Sequence, residues 1–238
     1  MTSVATLAPP ALLAISHGTS SPSGAAAVAA LVEAVAQARP EVAVAGGFVD
    51  VQQPDVPTVL GGLPAGAPAV VVPLLLSAGY HVHVDLAQDA AAVEGVTVAP
   101  ALGPDDRLVE LLARRLAEAG LRHDDAVVLA AAGSSDARAL ADCVETAHRL
   151  ANVLRRSVTV GYISAAGPRL ADAVAATRAA HPHCRVVVAS YLLAPGYFAD
   201  LAAAAGADVT SAPLLAAGAS PPTELVEIVL ERHAAASA

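Results

Sequence analysis

Three segments of this chain recur in the same order at offsets of 114 to 117 residues. LLAISHGTSS (12–21) answers to VVLAAAGSSD (127–136), VAGGFVDVQQP (44–54) to TVGYISAAGP (159–168), and VPLLLSAGYHV (72–82) to ASYLLAPGYFA (189–199). The fold must therefore be one unit built twice. Within each unit, strand-like apolar runs alternate with longer alanine-rich segments of helical period, the pattern of a parallel sheet with helices on both faces. Strands are predicted near 11–16, 42–49, 69–76, 96–99, 126–131, 157–163, 185–192 and 208–210. Helices are predicted near 23–38, 55–62, 84–93, 105–119, 135–154, 168–180, 198–205 and 222–235. The expected class is α/β: two related flavodoxin-like parallel-sheet halves about a pseudo-two-fold, with a cleft between them. Proline, glycine and charge cluster in ALGPDDR (101–107), which sets the expected halves at 1–103 and 104–238.

Composition removes several function classes. Hydrophobic residues make up 55% of the 238, but much of that is alanine, and the longest apolar stretches, such as AVVVPLLLSA, are half the length of a membrane span. The opening MTSVATLAPPALL lacks a basic leader and carries two prolines, so a cytoplasmic location is expected. Cys143 and Cys184 are too few for a disulfide framework and are not spaced as a metal clip. The net charge is −9 and all 13 basic residues are arginine. That balance argues against nucleic acid or an anionic membrane as partner.

The duplication also exposes a difference. Ligands of parallel α/β sheets bind beyond the carboxyl ends of the strands, at the switch point of strand order. His17 follows the first predicted strand, Asp50 the second, and His81 comes just after the third; their counterparts are Ala132, Ser164 and Phe198. Singly, each of the three has an ordinary explanation as a turn, cap or surface residue. Together, lost in concert from a sister unit that keeps the scaffold, they mark one half as chemical and the other as supporting. Two imidazoles and a carboxylate suit a first-row divalent ion, and three protein ligands leave positions open for a transient metal. His83 in YHVHVD is read as an outer or structural residue, with a place as fourth ligand as the alternative. HPHC (181–184) is read as a turn on the edge away from the cleft. No P-loop, G-x-G-x-x-G after the first strand or G-x-S-x-G elbow is present.

SHGTSS (16–21), FVDVQQPDV (48–56) and VPLLLSAGYHVHVDL (72–86) together resemble the class II tetrapyrrole chelatases of the CbiX/SirB type, in the long two-unit form. The resemblance covers nearly the whole chain. It implies ATP-independent insertion of a divalent metal into sirohydrochlorin, with Fe²⁺ ahead of Co²⁺ or Ni²⁺, as substrate and with no permanently bound cofactor. It makes His17 and His81 the catalytic histidines and metal ligands. Asp50 stands where many members have glutamate, and is the third ligand candidate, direct or through water. Thr19, Ser20, Gly79, Tyr80, Ser134 and Arg138 are the candidates to bind the ring. Short members pair as homodimers, so a fused chain is expected to work as a monomer.

The chemistry agrees with the residues. Metal insertion needs a loose ligand, a base for the pyrrole N–H protons and a cleft for a flat ring, and neutral imidazole can supply the first two. Cobalt insertion for cobalamin synthesis is the alternative within the class, and a non-catalytic metal or tetrapyrrole carrier the alternative outside it. A hydrolase using Ser16 or Ser20 with His17 is disfavoured, because neighbouring side chains diverge.

Overall fold

The computed structural model describes residues 9–64, 66–77, 79, 84 and 86–237. Strands β1 (Ala11–Ser16), β2 (Val44–Phe48), β3 (Ala69–Pro73) and β4 (Val96–Val98) form one parallel sheet in the order β2-β1-β3-β4. Strands β5 (Ala126–Ala131), β6 (Val158–Tyr162), β7 (Val186–Tyr191) and β8 (Val209–Thr210) repeat it as β6-β5-β7-β8. Helices α1 (Pro22–Ala38), α2 (Val56–Gly61), α3 (Leu86–Ala91), α4 (Asp106–Glu118), α5 (Ala137–Leu154), α6 (Leu170–Ala180), α7 (Tyr197–Ala203) and α8 (Thr223–Ala236) complete the alternation. Order 2-1-3-4 is the flavodoxin-like arrangement, with its switch point between the first and third strands.

The central strands read as unbroken apolar runs because both faces are covered. Every residue of β3 (AVVVP) and β7 (VVVASY) is buried, whereas edge strand β2 alternates in exposure. Along β1 the side chains divide by the period of two. Leu12 and Ala14 enter a core shared by both halves with Val127, Leu129, Val187 and Tyr191, while Leu13 and Ile15 pack outward beside Val56, Leu60 and Leu86. Helix α1 starts at Ser21, whose hydroxyl accepts from Gly24 N–H, and presents Ala27, Val28, Leu31 and Val35 at helical spacing to the shared core.

Two helices cross between the halves. Helix α4 follows the first sheet in sequence but packs on α5 and β7 of the second; α8 follows the second sheet but packs on α1 and β3 of the first. Periodicity shows that α4 has an apolar face, formed by Leu108, Leu111, Leu112 and Leu116, but not which sheet covers it. Asp105 ties the crossing together. Its carboxylate caps α4 through Arg107 N–H (3.0 Å), pairs with the Arg107 guanidinium (2.9 and 2.8 Å) and meets Arg232 of α8 (3.4 Å). Arg232 also donates to the carbonyls of Ala101 and Leu102, each at 3.1 Å.

Burial alone would raise the Asp105 carboxyl, but the hydrogen bonds from Arg107 and the charges of Arg107 and Arg232 outweigh it and hold the group below its usual range. A carboxyl depressed in the folded state stabilises at pH above its ordinary value, and that contribution is lost as pH falls through the folded value. Replacing Asp105 removes a helix cap and one partner from each of two arginines, leaving Arg107 with Glu231 (2.7 Å) and Arg232 with the two carbonyls. Asp105→Ala is therefore expected to lose about 2 to 4 kcal/mol at neutral pH, with the gap to wild type narrowing in acid. Urea unfolding at pH 7 and below pH 4 measures both.

Candidate active site

The carboxyl ends of the two sheets face one cleft of about 770 Å³, within the usual range for small-molecule sites. The first half supplies Ser16–Ser20 after β1, Val51 and Gln52 after β2, and Leu74–Ser77 with Gly79 after β3. The second supplies Ala131–Ser135 after β5, Ser164 and Ala165 after β6, and Tyr191–Ala199 from the end of β7 into α7.

His17 is exposed on the cleft wall, and the turn beneath it is rigidly specified. Asp50 N–H donates to His17 O (3.0 Å), Val49 N–H to Ser16 O (2.9 Å), and Thr19 N–H to Gln52 Oε1 (2.8 Å). Gly18 has φ +95°, and a Cβ there would overlap Asp50 O, so only glycine fits. The second half repeats this frame: Ser164 N–H donates to Ala132 O (2.9 Å), Gly133 has φ +91°, and its Cβ would overlap Ser164 O. The same turn thus carries an imidazole in one half and a methyl in the other.

The remaining candidates fall differently. Thr19, Ser20, Gly79 and Ser134 all line the cleft. The hydroxyls of Thr19 and Ser134 accept from Ser21 N–H (3.1 Å) and Asp136 N–H (3.0 Å), matching positions at the starts of α1 and α5. Asp50 is exposed, and its Oδ1 accepts from Val51 N–H at 2.7 Å. Arg138 is not on the cleft wall; its guanidinium pairs with Asp136, the cap of α5, at 3.1 and 2.8 Å. Tyr80, His81 and His83 lie outside the described residues. Among the described residues, no trio of His, Cys, Asp or Glu is grouped to hold a metal.

Sequence reading missed three contributors. Gln52 supports the His17 turn, and the Tyr191 hydroxyl, fully buried, donates to Leu76 O (2.8 Å) and so joins the halves beneath the cleft. Cys143 of α5 is also on the wall. Burial, with the Asp142 charge acting the same way and a hydrogen bond with Ser77 opposing, pushes its thiol up to about 11. It is a neutral thiol at pH 7, neither a ready nucleophile nor a ready metal ligand.

The CbiX family profile matches residues 11–119 and again 126–219, so both repeats carry it across most of the chain. The chain belongs to the CbiX family. Its fold is that of solved CbiX-type proteins. SirB from Bacillus subtilis with Fe³⁺ is 21% identical at a TM-score of 0.74, covering 97% of this chain and 96% of that one. The sirohydrochlorin chelatase SirB from Bacillus subtilis subspecies spizizenii in complex with cobalt is 19% identical at 0.69, covering 96% and 95%. CbiX, the terminal enzyme for biosynthesis of siroheme in denitrifying bacteria, is 18% identical at 0.63, covering 93% and 98%. No curated protein matches by sequence. In this family member both α/β units contribute the carboxyl ends of their strands to the one cleft, and no helix among the described residues is long and apolar enough to cross a membrane.

Proposed function

We propose that this chain inserts a divalent metal into sirohydrochlorin without ATP, with Fe²⁺ as the metal and siroheme as the product. Membership of the CbiX family across both repeats carries this reading, and the cleft with His17 on its wall supports it. Iron is placed ahead of cobalt on the CbiX relative that completes siroheme, since the SirB structures hold either Fe³⁺ or cobalt. Residues 1–103 are taken as the chemical half and 104–238 as the supporting one.

In this mechanism the ring enters the cleft between the sheet ends, held by Thr19, Ser20, Gly79 and Ser134, with Tyr80 assigned from the resemblance alone. His17 and His81 present imidazole lone pairs, first to the incoming ion and then to the pyrrole N–H protons; Asp50, next to the His17 turn but not among the residues lining the cleft, is kept as the third ligand candidate, direct or through water. The ring gives up two protons and takes one M²⁺, so charge balances with no electron transferred and no nucleotide consumed. Waters leaving the ion are replaced by ring nitrogens. The protein's part is to hold the ion weakly, orient the ring and remove protons.

Anaerobic initial rates with purified protein, metal-free sirohydrochlorin and Fe²⁺, Co²⁺ or Ni²⁺ in turn test the reading. Turnover fastest with Fe²⁺ agrees with it; no turnover with any of the three contradicts it, and a faster rate with Co²⁺ moves the product from siroheme to cobalamin synthesis.

A further inference from the structure

Of the six large hydrophobic side chains exposed among the described residues, three lie on the cleft that His17 lines: Val51, Tyr197 and Phe198. The chain is only 3% aromatic, yet it places two consecutive aromatics at the cleft, 69% and 38% exposed. Uncovered aromatic surface forgoes the stabilisation that burial would bring. The rings form one continuous surface, with centroids 6.1 Å apart and planes tilted by 37°. Val51 lines the same cleft from a left-handed backbone (φ 66°), a conformation costly for a β-branched residue; the matching Ala165 has φ 55° and is also exposed, so the turn is common to both halves and only the larger side chain is not.

The position of this surface is fixed. A Cβ on Gly24, in the first turn of α1, would overlap Pro195 O, and one on Gly196 would lie 3.0 Å from Thr19 Oγ1. The segment leading into Tyr197 is therefore seated directly on the turn that carries His17. Among the described lining residues there is no arginine, so this wall offers apolar faces and hydroxyls in place of fixed positive charge. By the duplication, Phe198 stands where the first repeat has His81.

The geometry points to Tyr197 and Phe198 as the wall on which one face of the tetrapyrrole rests, with Val51 as a further apolar contact. This assignment depends on the chelatase reading. It gives the second half a specific role, since aromatic surface replaces a proton-carrying group at the same place in the repeat. Recognition here is of the flat conjugated face, and it contributes to binding in the ground state and transition state alike.

The test uses metal-free sirohydrochlorin, titrated into wild type and Tyr197→Ala, Phe198→Ala, Tyr197→Phe and Leu201→Ala, following its visible absorption and then insertion kinetics. The two alanine variants at the wall are expected to raise Kd and KM roughly tenfold with kcat largely kept, with thermal melting unchanged in Tyr197→Ala and lowered slightly in Phe198→Ala, no more than in Leu201→Ala, which is exposed to the same 38%. Tyr197→Phe should retain affinity, as should Leu201→Ala, which is equally exposed on α7 but off the cleft. Equal affinity in wild type and both wall variants overturns the assignment alone, as does an equal loss in Leu201→Ala. Wild type that binds no sirohydrochlorin overturns the chelatase reading and this wall with it.

Discussion

His17→Ala is expected to fold and melt within about 0.5 kcal/mol of wild type while losing most metal insertion. The stability half of this expectation comes from inside the molecule. Ala132 occupies the matching turn, with the same hydrogen bond to its carbonyl (2.9 Å against 3.0 Å) and the same glycine after it, so this backbone already accepts alanine. His17 is exposed and contributes nothing to the shared core. The activity half follows from the roles proposed for His17, metal ligand and base, which one substitution removes at once. His81→Ala should behave alike, and because the proposal has both act on one ion, the double variant should be hardly slower than either single. Thermal melting and insertion rates on the three proteins decide the matter. A stable His17→Ala with near-normal turnover contradicts the role given to it, and an unfolded one returns the imidazole to structure.

Gly133→Ala should do the opposite: large damage to the fold at a position with no chemical role. At φ +91° an alanine is strained in any surroundings, and here its Cβ would enter Ser164 O. The strand ends of β5 and β6 would have to part, at the expense of the bond from Ser164 N–H to Ala132 O. A loss of about 3 to 5 kcal/mol is expected. Gly206→Ala is the control, because Gly206 has φ +85° but open space around it; it should cost only about 1 kcal/mol. Equal losses in the two variants, by urea unfolding, would show that backbone conformation alone sets the effect and that the packed turn common to both halves is not specifying it.

Much of this architecture is written in local pattern. The strand and helix boundaries read from the sequence fall within three residues of those observed, because the central strands are apolar on both faces and the helices between them carry recognisable starts such as Ser21-Pro22 and Asp105. His17 and Asp50 were legible as strand-end residues for the same reason. What the sequence hid was pairing over distance. The crossing of α4 and α8 depends on which sheet covers an apolar stripe, and Arg232 reaching the carbonyls of Ala101 and Leu102 spans more than 120 residues. Arg138 read as a free cation near the cleft, although its partner Asp136 stands two residues away, a spacing typical of a capped helix start. The repeat placed Phe198 opposite His81, but local pattern does not show that its ring and that of Tyr197 stand exposed on the cleft.

The distinction that matters most is between an enzyme and a carrier, and the stoichiometry of a single anaerobic reaction separates them. A low concentration of the purified chain, mixed with excess metal-free sirohydrochlorin and Fe²⁺ in weakly buffered solution, is followed by ring absorbance and a pH indicator together. Repeated turnovers, with two protons released per metallated ring and a rate indifferent to added ATP, are predicted. One equivalent of ring or metal bound per chain, with metallation no faster than in protein-free solution, would contradict it.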